Sequence, residues 1–337
     1  MPHATSTERS YAPFIVERPM VGYGMTPPKV EWPGRGKIAV SFVIEYTEGG
    51  ELSLEHGDAT SDNLFADLGT YATRPARDDM LESEFEHGPR AGLPRLMRLF
   101  EKYDLSATIN VVTSALERAP YWSKRLVANP RYELACSSKR WIDYFDVDPV
   151  EEEKHIVEAI ESMQKMGVEP KGWYVGRRSN ASQRLYARAN KEKGIPLLYS
   201  SDSFSDDLPY WCVSPLAEEG YEDEGLLVIP TQHDTSDWKF NATGAGWSSG
   251  KDWLSHLVDS FDTLYEEGEE GEAKLMTVSL HPRICGRAGR TAYLEEFIKY
   301  IKSKEGVWVP KREEIATFWR EKFPYNPETA HGKLAVA

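Results

Sequence analysis

The sequence predicts a single α/β domain built on a parallel sheet, and three observations predict it. Short β-branched runs alternate with helix-patterned segments, an order that builds βαβ units and a parallel sheet, closed or open, with helices outside. No repeat of fixed period and no low-complexity tract interrupts that alternation, which argues against solenoids and propellers. The 337 residues, 40% of them hydrophobic, can bury one large core, and about seven strands in one domain of roughly 290 residues suit a barrel better than two domains.

Residues 1–30 carry scattered Pro, Gly and Ser with little periodicity and are expected to form an extension on or near the barrel. The barrel is expected over 31–325 and a polar tail over 326–337. Strands are predicted at 38–45, 107–112, 172–175, 197–200, 226–229, 275–280 and 307–309. The clearest helix opens at Asp148-Pro149-Val150-Glu151: Asp caps, Pro suits the first turn, and Glu three residues on completes a capping box. Its Ile156, Ile160 and Met163 then share one face. Further helices are predicted over 89–103, 182–193, 251–266 and 291–302.

The net charge of −14 argues against nucleic acid or an anionic membrane as partner, because both need clustered Lys and Arg. No run approaches the roughly 20 apolar residues of a membrane helix, and MPHATSTERS lacks the order of a secretory signal, so a soluble, cytoplasmic protein is expected. Cys136, Cys212 and Cys285 are too few for a disulfide framework or zinc ribbon. Cys136 as a nucleophile is the weaker idea beside a buried inert thiol.

In folds of this class the chemistry sits beyond the C-terminal strand ends. Each predicted exit is polar: EYTEGGE (45–51), CSSKRW (136–141), VGRRSN (175–180), SSDSFSDDLPYW (200–211), PTQHDTSDWKF (230–240) and SLHPRICGRAGR (279–290). Any one could be a solvated turn, as Gly-Gly among carboxylates after a strand commonly is; six on one rim point to a site. His281 is the sharpest residue, ending the apolar run KLMTVSLH. His155 and His256 lie in helical patterns and read as surface or packing residues. For His233 beside Asp234, a tuned imidazole and a structural one stay equally open.

The ordered set EGGE, GWYVGR (172–177), SDSFSDDLPYW and SLHPRICGRAGR resembles the allantoinase-like, metal-independent branch of the polysaccharide deacetylase (NodB-homology, carbohydrate esterase 4) superfamily. The resemblance runs from about Val21 to Trp319. It implies a distorted (β/α)7 barrel, hydrolysis of an amide C–N bond in a small cyclic ureide or imide, no metal or other cofactor, and a homo-oligomer. It also implies Glu48 as the base that activates water, with Glu45 or Glu51 as alternatives, and His281 as general acid. Arg177 or Arg140 would steady the oxyanion, with Asp202 orienting Arg177 or His281. Glu86 and Arg90 of FEHGPR and Ser137 are expected to contact polar substrate atoms, and Trp141, Trp211 and Trp238 to wall the pocket.

Three positions depart from that branch. Thr47 stands where a second glutamate is expected, although Glu45 shares its strand face. Ser137-Ser138 replaces a His-Gly pair before Arg140-Trp141; metal-binding relatives have His-x3-His there, and Ser137 and Trp141 are not useful zinc ligands. Asn180 replaces a Pro. These departures keep two alternatives open: a relative recruited to a non-hydrolytic isomerisation, cyclisation or elimination, and a catalytically silent binding protein.

Overall fold

The first strand, β1 (Ile38–Tyr46), is buried along its whole length, so both of its faces must be covered. In the computed structural model, which describes residues 10–67, 74–242 and 246–331, it is. The outward Phe42 meets Phe100 and Phe297 at ring distances of 5.3 and 6.5 Å; burying one such ring contributes about 2 kcal/mol. The inward row of Ser41, Val43 and Glu45 faces the sheet's concave interior.

The remaining strands are β2 (Ala107–Val111), β3 (Tyr132–Cys136), β4 (Gly172–Trp173), β5 (Tyr199–Ser200), β6 (Tyr210–Cys212), β7 (Leu226–Val228), β8 (Lys274–Leu280) and β9 (Val307–Trp308). The sheet order is β6-β7-β5-β4-β3-β2-β1-β8, with β9 on the start of β1. All pairings are parallel except β6 with β7. The helices are α1 (Asp79–His87), α2 (Leu93–Lys102), α3 (Thr113–Arg118), α4 (Pro120–Val127), α5 (Pro149–Lys165), α6 (Ser182–Glu192), α7 (Gly250–Glu269), α8 (Ala288–Lys302) and α9 (Arg312–Lys322). In α5 the predicted cap forms, Asp148 Oδ1 accepting from Val150 N at 2.9 Å, and Ile156, Ile160 and Met163 are buried. Glu151 pairs forward with Lys154 at 3.0 Å.

The predicted parallel α/β sheet is present, but its hydrogen-bond ladder does not close. At the seam β8 meets the segment after β7 instead of another strand. Gln232 accepts from Thr277 N at 2.5 Å and donates to Leu275 O at 2.9 Å. Thr235 donates to Thr277 O at 2.5 Å, Ser236 to Ser279 O at 3.4 Å, and Leu275 N to Asp207 O at 2.8 Å. These groups satisfy the edge of β8 as a strand would. They also lay residues 232–237 alongside β8 up to its C-terminal end.

The interior is polar at its base. Glu133 on β3 accepts from Thr108 and Tyr199 at 2.7 Å. Arg312, fully buried at the start of α9, donates to the carbonyls of Ile229 and Pro230 and to Thr277 at 2.9–3.1 Å. Those bonds are what make a buried guanidinium tolerable. The extension reaches α6, with Arg188 Nη2 on Ser10 O at 2.7 Å, and the tail docks on β6, with His331 N on Trp211 O at 2.6 Å. The first nine residues and the last six lie outside the described residues.

Candidate active site

The exit of β1 is a tight turn, Gly50 N donating to Thr47 O at 2.9 Å. Gly49 sits at φ +106°, a conformation that favours glycine. At Gly50 a Cβ would stand 2.3 Å from Val112. The Gly-Gly pair therefore answers to geometry, and Glu51 serves the turn by accepting from Gly49 N at 2.5 Å. Burial pushes the Glu51 carboxyl up to about 7.

Glu48 is held tightly. One carboxylate oxygen accepts from Arg283 N at 3.0 Å and Arg283 Nη1 at 3.4 Å, the other from Thr47 N at 3.2 Å. Gly88 makes room, because a Cβ there would lie 2.6 Å from that carboxylate. The loop carrying Arg283 is placed by two more glycines. A Cβ on Gly92 or Gly286 would come within 1.9 or 2.1 Å of Pro282 O.

On the inward row, Glu45 accepts from Asn110 Nδ2 at 3.0 Å, since the β1–β2 register puts those residues side by side. Burial raises its carboxyl to about 7, against the favourable charge of His281 and the Asn110 hydrogen bond. The β1–β8 register, Val43 with Ser279 and Ile44 with Leu280, carries on to set His281 beside Glu45. His281 Nδ1 lies 2.7 Å from Asp237 Oδ1, while Asp237 Oδ2 accepts from His281 N at 2.7 Å and Cys285 N at 3.0 Å. With Nδ1 tied to a carboxylate, Nε2 is the nitrogen left for chemistry.

Asp237 is the residue that sequence reasoning missed in this role. It stands inside the quoted PTQHDTSDWKF, but only the seam beside β8 brings it to a histidine 44 positions away. Asp202, expected to orient Arg177 or His281, instead accepts from Val175 N and Gly176 N at 2.9 and 3.1 Å. It fastens the exit of β4.

The arginines are redistributed as well. Arg140 is spent on the β1 turn, donating to Gly50 O and Glu51 O at 3.1 and 3.0 Å and to Asp58 at 2.5 Å. Arg177 donates to Trp141 O at 3.2 Å, lies 3.5 Å from Asp62 and covers the Trp141 ring. Arg283, unremarked within HPRICGR, is the buried cation of the site. Its Nη1 donates to Thr47 Oγ1 at 3.0 Å, and its guanidinium lies over Phe85 and Trp141 at 4.6 and 5.0 Å.

Phe65, also unpredicted, touches the rings of His281, Trp238 and Trp141 at 5.8, 5.3 and 6.0 Å. Trp141 and Trp238 thus reach the histidine only through Phe65, and Trp238 also meets the ring of His233 at 5.3 Å. Trp211 does not: it donates to Phe323 O at 2.7 Å and packs on Tyr325 and Arg320 against the C-terminal segment. His233 packs against Phe204 with ring centroids 3.7 Å apart, and burial lowers its pKa; Asp234 pairs with His256 instead, at 3.1 Å. Glu86 and Arg90 form an ion pair at 2.6 Å and line, with Glu48 and Glu51, a cavity of about 220 Å³. Ser137 is buried with its Oγ unpartnered, as is Asn110 Oδ1.

The residues present do not fit the divalent ion of the metal-binding relatives. Ser137 and Trp141 occupy the two imidazole positions, Glu48 is committed to Arg283, and no three His, Cys, Asp or Glu side chains among the described residues form a metal-holding group.

A family profile described as polysaccharide deacetylase matches residues 73–196. A putative polysaccharide deacetylase of Schizosaccharomyces pombe is 39% identical over 305 residues, 87% of this chain and 93% of that protein. A peptidoglycan deacetylase of Helicobacter pylori is 24% identical over 266 residues, 72% of this chain and 88% of that protein. Among solved structures, Puue allantoinase superposes with a TM-score of 0.85 at 38% identity, covering 92% of this chain and 99% of that one. A probable polysaccharide deacetylase from Pseudomonas aeruginosa PAO1 gives 0.84 at 38% identity over the same shares.

Proposed function

Because the chain belongs to the polysaccharide deacetylase family of amide hydrolases, we propose that it opens a small cyclic ureide or imide by hydrolysing a ring amide C–N bond. The observation that carries this is the register that sets Glu45 beside His281, whose Nδ1 is tied to Asp237, at the mouth of the sheet. The likeness to Puue allantoinase supports a ring as the substrate, and Phe65, Trp141 and Trp238 offer flat apolar faces for one.

We assign the base to Glu45 in preference to Glu48. Glu48 spends its oxygens on Arg283 and Thr47 N, whereas Glu45 has a carboxyl near 7, where a general base works best at neutral pH. Water attacks the ring carbonyl as Glu45 takes its proton. The C–N bond then breaks as His281 Nε2 gives a proton to the leaving nitrogen, with Asp237 fixing the tautomer and steadying the imidazolium. No step passes through a metal.

Incubating the protein with allantoin, a dihydropyrimidine and a cyclic imide, with and without a chelator, tests this. Ring opening that resists the chelator and disappears in Glu45→Gln and His281→Ala is expected. Turnover of none by a folded protein would favour the recruited, non-hydrolytic reading that Thr47 and Ser137 keep alive.

A further inference from the structure

Arg283 carries a larger unmet demand than any other group in the site. Its side chain is 2% exposed, yet Nε and Nη2 have no partner among the described residues. Those two nitrogens form one edge of the guanidinium, the edge whose parallel N–H bonds take a two-oxygen acceptor side-on. Buried donors left unpaired are costly, so an unpartnered fork is a feature that a ligand would relieve. The other edge is fixed by Thr47 and Glu48, and Phe85 and Trp141 lie against the guanidinium faces.

Position points the same way. Thr47 stands two residues after Glu45, at the exit of β1, so its guanidinium partner lies at the strand end that carries the base. Arg283 is also two residues from His281, on the loop that His281 begins.

We propose that Arg283 is a catalytic residue, its Nε–Nη2 fork holding the two oxygens that hydrolysis places on one carbon. This rests on the hydrolytic reading above. When water adds to the carbonyl, its oxygen forms a C–O bond, Glu45 takes a proton, and the carbonyl electron pair moves to oxygen. The tetrahedral carbon then bears an O⁻ and an OH, roughly 2.3 Å apart as in a carboxylate, which is the spacing a guanidinium fork matches. Collapse expels the nitrogen, protonated by His281, and leaves a carboxylic acid whose carboxylate still fits the fork. The substrate offers one carbonyl oxygen, so the contact is stronger after attack than before, the condition for lowering the barrier. Glu48 balances the resting charge, so the site needs no anion in the ground state.

Two measurements test this. The first is steady-state ring opening by wild type, Arg283→Lys and Arg283→Gln. Loss of kcat by about 10²-fold or more with KM changed little is expected in both, because lysine keeps the charge but not the fork. Millimolar guanidinium is expected to restore part of the rate to Arg283→Ala. A fall confined to KM, or full activity in Arg283→Lys, would overturn the proposal.

The second is calorimetric binding of hydantoin and its ring-opened carboxylate, hydantoate, to His281→Ala protein with and without Arg283→Gln. Hydantoate binding at least tenfold tighter, with the preference lost only in the double variant, is expected; equal binding, or a preference surviving Arg283→Gln, would overturn the proposal. This arm needs no turnover, so absent hydrolysis with an Arg283-dependent carboxylate preference would sink the hydrolytic reading and leave the fork standing.

Discussion

Replacing Glu45 by Gln makes a charged or protonated carboxyl into a neutral group of the same shape, and the consequence depends on pH. The buried Glu45 carboxyl sits at about 7 against a usual 4.5; at 1.36 kcal/mol per pKa unit that difference is on the order of 3 kcal/mol. Between pH 4.5 and 7 the folded chain holds this proton and the unfolded chain does not, so stability falls as pH rises through that window. At pH 5 the folded wild type carries a neutral Glu45, and the variant is expected to match it within about 1 kcal/mol. At pH 8 the wild type carries a buried carboxylate, and the variant is expected to be the more stable by roughly 3 kcal/mol while losing ring opening by 10²-fold or more. Urea unfolding of both proteins at pH 5 and pH 8 reads the difference directly. A stability gap independent of pH would refute the buried titration of Glu45, and with it the case for Glu45 as base.

If Glu45 is the base, wild-type kcat/KM rises with pH from 5 towards about 7, as a pH–rate profile would reveal; a flat profile from pH 5 to 7 would remove Glu45 from the reaction. Asp237→Asn is expected to cut kcat by about 10²–10⁴-fold by presenting the wrong tautomer of His281, whereas Asp202→Asn is expected to lower the melting temperature more than kcat, since Asp202 ties the β4 exit to Tyr186 of α6. Gly88→Ala drives a methyl into the Glu48 carboxylate and is expected to destabilise the fold by about 1–3 kcal/mol, measurable by denaturant titration.

Much of the scaffold was legible because burial on both faces writes apolar runs: β1, β2 and β8 read directly, as did α5 from its Asp-Pro start and α6 to α8 from their spacing. Where the interior is polar the signal failed. β3 reads Tyr-Glu-Leu-Ala-Cys because Glu133 points inward to Thr108 and Tyr199, and that charge hid the strand. The antiparallel β6 and the terminal α9 were hidden too, the second behind Arg312, a charge whose partners lie up to 83 residues away. Gly49, Gly50, Gly88 and Gly92 were visible as letters, but what each would strike was not.

By itself the sequence determined the alternation of strands and helices, the polar strand exits and the prominence of His281, because these depend on neighbours within a few residues. It also held every residue of the candidate site. Pairing was decided by tertiary structure alone: Asp237 rather than Asp202 beside His281, Arg283 on Glu48, and Trp211 in the packing against the tail. The physical reason is that hydrogen bonds and ion pairs act over about 3 Å, and only the sheet register and the side-chain seam along β8 bring such distant residues that close.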